Sequence, residues 1–205
     1  MLKLETKKLA KYFGRRKVFE NIDICLRAGQ SLALVGCNGS GKTTLLKTII
    51  GLIYPSKGEV TYSENGQKLE FGQYRDSLSF VAPYFSLYEP LTATENLRFF
   101  AKVCGCKLML EKLNELLSQV GLDGRGDDSV SSYSTGMKQR LKYAVALLKK
   151  PKILLIDEPG TNLDESGKEM VVNILDSIRK ESIIIIATNE PKEYELADGI
   201  CQLDS

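Results

Sequence analysis

The chain has 205 residues, 43% of them hydrophobic and 26% charged, with a net charge of +2. That length and mix suit one globular domain, or one domain carrying a sub-domain insertion, with enough chain for a large core. A balance this close to neutral argues against the broad basic field of a nucleic-acid-binding protein, and no apolar run approaches the ~20 residues of a membrane-spanning helix. The opening residues, MLKLETKKLAKYF, lack the unbroken apolar core of a secretory signal. A cytosolic location is expected, with any membrane role exerted through a partner.

The first part of the chain reads as short strands and turns. Leu2 to Leu9 alternates loosely, Phe13-Gly-Arg-Arg looks like a turn, and Asn21 to Leu26 alternates again. Ala28-Gly29 punctuates before Ser31 to Val35, an SLALV run apolar on both faces, as a central parallel strand should be. A glycine loop follows. Lys42 to Leu52 then places Leu45, Leu46, Ile49 and Ile50 on one helical face, with Gly51 at its end. Glu59 to Tyr62 predicts a strand, and Glu64-Asn-Gly-Gln a hairpin turn. From Thr92 to Val120 the pattern is helical, with a start near Thr94 and a leucine-rich amphipathic stretch from Leu108 to Leu117. Gly121 to Ser132 is a loop, and a helix runs from about Gly136 to Lys149. Lys152 to Ile156 and Ser182 to Ala187 are further buried strands, with a helix from Gly167 to Lys180 between them. This alternation predicts an α/β core with a parallel sheet, an antiparallel β region at the N-terminus and a mostly helical insertion over roughly residues 75–135.

Five cysteines are scattered along the chain. Cys104-Gly-Cys106 has no second pair at zinc-like spacing and no histidine beside it, so buried or incidental thiols are expected.

Two stretches carry chemistry. Gly36-Cys37-Asn38-Gly39-Ser40-Gly41-Lys42-Thr43 fits the full phosphate-loop pattern of a P-loop NTPase, after a buried strand and before an amphipathic helix. Glycines let backbone N–H groups turn inward around a phosphate chain, and the helix adds its positive end. Lys42 is expected to reach the β and γ phosphates of ATP, and the Thr43 hydroxyl to bind Mg²⁺. Thr44 is expected on the α/β side. The second stretch, Lys152-Ile-Leu-Leu-Ile-Asp157-Glu158-Pro159, is an apolar strand that ends in two carboxylates. Strand ends in open α/β sheets are where ligands sit. Asp157 is expected to hold Mg²⁺ through its water shell, and Glu158 to polarise a water against the γ-phosphorus.

With these, Tyr133-Ser134-Thr135-Gly136-Met137-Lys138-Gln139-Arg140 resembles the signature of the ATP-binding subunits of ABC transporters, commonly written LSGGQ. The likeness extends over nearly the whole chain. It implies an ATPase whose two copies, or one copy and a paralogue, sandwich ATP and drive a separate transmembrane permease from the cytoplasmic face. It implies that Ser134 and the Gly136 N–H touch a γ-phosphate held by the other subunit. Phe13, or Tyr12 beside it, matches the aromatic that stacks on adenine. Gly160-Thr-Asn-Leu163-Asp164 resembles the loop that communicates across the dimer. Leu91-Thr92-x-x-Glu95-Asn96-Leu97 resembles the opening of the helical sub-domain. The stretch around Phe80 to Phe100, with Phe85, Tyr88, Phe99 and Phe100, would offer the docking groove for a permease, unless these aromatics, Phe99 and Phe100 above all, belong to the sub-domain's core. The YSTGM spelling and the short C-terminus are similar to exporters.

Three positions depart from the family pattern. Asn189 follows Thr188 where a switch histidine is usual, and an amide can donate a hydrogen bond but cannot take up a proton. Pro83 aligns with a loop glutamine, and Thr135 with the first signature glycine. These departures predict intact ATP binding with slow hydrolysis, Asn189 acting beside Glu158 and Lys42. They leave open a degenerate subunit that binds ATP and gates assembly with little cleavage.

Overall fold

The computed structural model describes residues 1–106 and 109–203, so Leu108, where the leucine-rich stretch begins, lies outside the described residues. In chain order the strands are β1 (Leu2–Phe13), β2 (Arg16–Arg27), β3 (Ser31–Val35), β4 (Lys57–Glu64), β5 (Gln67–Leu69), β6 (Leu78–Val81), β7 (Ile153–Asp157), β8 (Ile183–Thr188) and β9 (Gly199–Gln202). The helices are α1 (Lys42–Ile49), α2 (Phe71–Arg75), α3 (Ala93–Val103), α4 (Leu110–Gln119), α5 (Thr135–Leu147), α6 (Glu165–Ile178) and α7 (Pro191–Tyr194).

The N-terminal strands form an antiparallel sheet in the order β2-β1-β4-β5. Asn65 (φ 53°) and Gly66 (φ 83°) close the β4–β5 hairpin, both left-handed as a primed two-residue turn requires. The central sheet is parallel, in the order β6-β7-β8-β3-β9. Its strands are apolar on both sides because both faces are covered. Leu154, Ile156, Ile184 and Ile186 enter a core with Leu97, Leu113, Leu141, Tyr143 and Ile174, from the helices α3 to α6. Ile153, Leu155, Ile183, Ile185 and Ala187 enter a second core with Leu45, Leu46 and Ile49 of α1 and residues of the antiparallel sheet. Each fully buried Leu or Ile contributes about 1.5–3 kcal/mol relative to exposure.

The period of two places the chemistry. Odd positions of β7 face α1, so Asp157, the last residue of that strand, points at the start of α1. The phosphate loop leaves β3, which lies beside β8, which lies beside β7. All the loops that matter therefore leave the same, C-terminal edge of the sheet.

Several element ends differ from the sequence expectation, each for a local reason. α1 stops at Ile49, three residues early, because Gly51 turns left-handed (φ 79°) and Leu52 and Ile53 donate back to the Lys47 carbonyl. α3 starts from Thr92, not Thr94: the Thr92 hydroxyl accepts from Glu95 N, and the Glu95 carboxylate accepts from Thr92 N, a capping box. α6 starts from Asp164, whose carboxylate accepts from Gly167 N. β6 and β9 are the two edge strands, four residues each, and the sequence predicts neither. With β6 in the central sheet, the helices within residues 75–135 that pack on α5 begin only at Ala93.

Candidate nucleotide site

The turn from β3 into α1 is built on glycine. Gly36, Gly39 and Gly41 have φ of 155°, 86° and 98°, the region that disfavours other residues. Two of them also lack room: a Cβ on Gly41 would stand 2.7 Å from a Val18 methyl, and one on Gly36 would stand 2.7 Å from the Leu203 carbonyl. Lys42 is buried and folds back so that its ammonium donates to the Gly36 carbonyl (2.7 Å) and the Cys37 carbonyl (3.0 Å). An ammonium has three donors, which leaves one for a ligand. The hydroxyl of Ser40 is buried in the same loop with no partner among the described residues.

A cleft of about 330 Å³ opens over this loop, lined by Phe13, Arg16, Val18, Asn38, Gly39, Gly41, Lys42, Thr43, Thr44 and Glu158. Most of the residues expected at a triphosphate thus meet in one place. Of the two candidate aromatics the cleft takes Phe13, whose ring is 54% exposed at its mouth. Tyr12 points elsewhere, its hydroxyl donating to Glu20. Arg16 is a lining residue the sequence did not single out. Its only signal was its place just after the Gly14 turn that sets Phe13.

Below the cleft the Thr43 hydroxyl donates to the Asp157 carboxylate at 2.7 Å. Burial pushes the Asp157 carboxyl above its ordinary range; the Thr43 hydrogen bond pulls it back, and the charge of Glu158 adds to the rise. A buried carboxylate beside a hydroxyl, both oxygen donors, is a fitting pair for a hard divalent cation such as Mg²⁺. Glu158 leaves the strand in a left-handed conformation (φ 54°), a strained state for a non-glycine residue. Its N–H donates to Ala187 O (2.8 Å), and its carboxylate accepts from the Thr161 hydroxyl (3.0 Å). Glu158 thereby lines both this cleft and the hollow beside it that Thr161 and Asn189 share.

Asn189 follows β8, and its amide donates to Asn38 Oδ1 at 3.3 Å, tying the end of β8 to the phosphate loop. Pro83 contributes no side-chain donor, and its carbonyl accepts from Lys142 Nζ at 2.5 Å. Burial lowers the pKa of that lysine. Ser134 and Gly136 do not line the cleft of their own chain. Ser134 caps α5, its hydroxyl accepting from Met137 N (3.2 Å), and is exposed. Gly136 lies against the loop after Glu158: a Cβ there would stand 3.1 Å from Asn162 O. Thr135 is the first residue of α5 and has no positive φ, so its Cβ carries no backbone strain.

A glycine loop from a buried strand to a helix, with an acidic strand end beside it, defines a P-loop nucleotide-binding protein. The family model described as ABC transporter matches residues 19–161, and the chain belongs to that family. An uncharacterized ABC transporter ATP-binding protein of Bacillus subtilis, YybJ, is 35% identical over 93% of this chain and 86% of its own. The cytochrome c biogenesis ATP-binding export protein CcmA of Nitrosomonas europaea is 30% identical over 86% of this chain and 84% of its own. Other relatives are longer: the chain spans 61% of YdbJ of Bacillus subtilis, at 35% identity over 91% of this chain, and 35% of YbhF of Escherichia coli, at 32% identity over 96%. A solved ATP-binding subunit of an ABC transporter superposes with a TM-score of 0.84 at 31% identity, over 98% of this chain and 85% of its own. No helix among the described residues is long and apolar enough to cross a membrane.

Proposed function

We propose that the chain is an ATP-hydrolysing motor subunit that works as a pair, with itself or with a paralogue, on the cytoplasmic face of a separate transmembrane permease. The observation that carries this is the single cleft in which Phe13, the phosphate loop, the Thr43–Asp157 pair and Glu158 converge. Phe13 offers a face for a base, the loop N–H groups and Lys42 take the phosphates, and Glu158 accepts the proton of an attacking water. Thr43 and Asp157 would hold Mg²⁺, which supplies charge neutralisation on the phosphate oxygens. The exposed cap Ser134, placed off its own cleft, supports a role at the nucleotide of a second subunit. The permease contact falls to the cluster of Phe85, Tyr88, Phe99 and Phe100, whose rings meet at 4.6–5.3 Å with Tyr88 and Phe99 partly exposed. The spelling of the signature and the export role printed for CcmA favour an exporter.

Glu158→Gln tests the core of this. Turnover should fall by about 10²–10⁴-fold while ATP still binds. Equal turnover in the two proteins would remove Glu158 from its role. A second reading, a subunit that binds ATP and gates assembly with little cleavage, is favoured by Asn189 and Pro83, neither of which brings a proton-carrying or charged group to the γ-phosphate. ATP-induced dimerisation without measurable turnover would select it.

A further inference from the structure

The peptide group joining Pro159 and Gly160, the second peptide bond after Glu158, is gripped from two sides. The hydroxyl of Tyr143, fully buried on α5, donates to the Pro159 carbonyl at 2.9 Å. On the other side the Gly160 N–H donates to the Glu193 carboxylate at 2.9 Å. The contact is close: a Cβ on Gly160 would stand 2.4 Å from Glu193 Oε1. The second oxygen of Glu193 accepts a short hydrogen bond from the hydroxyl of Thr188, the last residue of β8 and the neighbour of Asn189. The same hydroxyl accepts from Glu190 N (2.9 Å), which fixes its orientation. One carboxylate therefore bridges the loop that follows Glu158 and the strand end that precedes Asn189. It lines a hollow of about 320 Å³ shared with Glu158, Thr161, Thr188 and Asn189.

From this geometry we infer that Glu193 is a positioning residue for ATP hydrolysis, a clamp that fixes the distance between the Glu158 carboxylate and the Asn189 amide across the γ-phosphate position. Burial pushes the Glu193 carboxyl up, although Thr188 and Gly160 both donate to it. A carboxylate is thus held where its charge is disfavoured, whereas a helix of four residues could be anchored by an apolar contact. The strands β7 and β8 are already paired as far as Asp157 and Ala187, and Glu158 N donates to Ala187 O. What the bridge adds is to tie the loop beyond them, whose Thr161 hydroxyl donates to the Glu158 carboxylate, to the residue before Asn189. Its loss therefore lets the Glu158 carboxylate and the Asn189 amide shift relative to one another. A displacement of about 1 Å in a reacting group can cost about 10²-fold in rate.

The proposal rests on Glu158 as the base, and the test separates the two. ATP turnover and binding of a fluorescent ATP analogue are measured on wild type, Glu193→Ala, Glu193→Gln, Thr188→Val, Glu158→Gln and the Glu158→Gln/Glu193→Ala pair. Glu193→Ala is expected to lower kcat by about 10–100-fold with nucleotide affinity held within about twofold. Glu193→Gln keeps an acceptor for Gly160 N–H and can donate to Thr188, so it should recover most of the rate. Thr188→Val removes one of the two bonds and should fall between. Against Glu158→Gln the alanine change should cost nothing further. An unchanged kcat, a rate loss matched by an equal loss of binding, or a fully multiplicative loss in the double variant overturns the clamp. If Glu193→Ala does not fold, Thr188→Val decides, and a wild-type kcat there overturns the proposal. If Glu158→Gln turns over like wild type, the base assignment fails by itself. A kcat loss in Glu193→Ala rescued by glutamine then still supports a clamp acting through Asn189.

Discussion

The two sides of the cleft are built to different standards of completeness. On the β3–α1 side every position the chemistry of a triphosphate asks for is filled: three left-handed glycines, a buried lysine, and a hydroxyl bonded to a buried carboxylate. On the β6 and β8 side the chain offers a γ-phosphate fewer side-chain donors. Asn189 brings an amide, which can donate a hydrogen bond but cannot carry a proton, and Pro83 presents only a carbonyl, already bonded to Lys142. Binding needs many fixed donors, and these come from backbone that only glycine permits. Hydrolysis needs one or two well-placed side chains, which a single substitution can weaken without disturbing the fold.

The largest effect on binding should come from the β3–α1 side. Lys42→Ala removes a charged donor that also ties the loop to its own carbonyls, so ATP affinity should fall by about 10–100-fold, measured by titration with a fluorescent ATP analogue. Retention of wild-type affinity would show that the loop alone binds. On the β8 side the expected effect is on turnover, not on affinity. Asn189→His should raise turnover by up to about 10²-fold, the worth of a strong transition-state donor. It would also introduce the chain's single imidazole, so its rate should change between pH 5 and 8. The wild-type chain contains no histidine, so its pH–rate profile should lack an imidazole limb.

The smallest effect is on stability. The Asp157 carboxyl is raised by burial, with the Thr43 hydrogen bond opposing and Glu158 adding. A carboxyl whose folded pKa lies above its unfolded value favours the fold fully below the unfolded pKa, and that contribution is lost as pH rises through the folded pKa. At neutral pH the nucleotide-free protein therefore carries an unfavourable buried charge. Asp157→Asn should raise its melting temperature at pH 7.5, and the gap should close as pH falls towards 4. A gap independent of pH would place the effect in packing, not charge.

Much of this was legible in the chain because glycine spacing and two-faced apolar runs are local signals. Ser31–Val35 was read to the residue, and Leu154 and Ile156 against Ile153 and Leu155 show why such a run cannot alternate: each face has its own core. The edge strands β6 and β9 gave no sequence signal: each is only four residues long, and β9 carries its apolar Ile200 on the exposed face, the reverse of what an apolar alternation would suggest. In the site, the choice of Phe13 over Tyr12 depends on the register past the bulges of β1, which no sequence period encodes. Glu193 was missed for another reason. Its partners, Gly160 and Thr188, are 33 and 5 residues away, and one of them is a backbone N–H. Helix caps fall between these cases: Thr92 and Asp164 each carry the right residue type, but only the bond to Glu95 N or Gly167 N fixes the start.

That a second subunit completes the cleft is tested most directly by the mass of the Glu158→Gln protein in solution with magnesium and ATP, with and without Ser134→Arg. Light scattering should find a dimer for the first protein and a monomer, still able to bind ATP, for the second. A monomer at saturating ATP, or a dimer indifferent to arginine at position 134, would contradict the account.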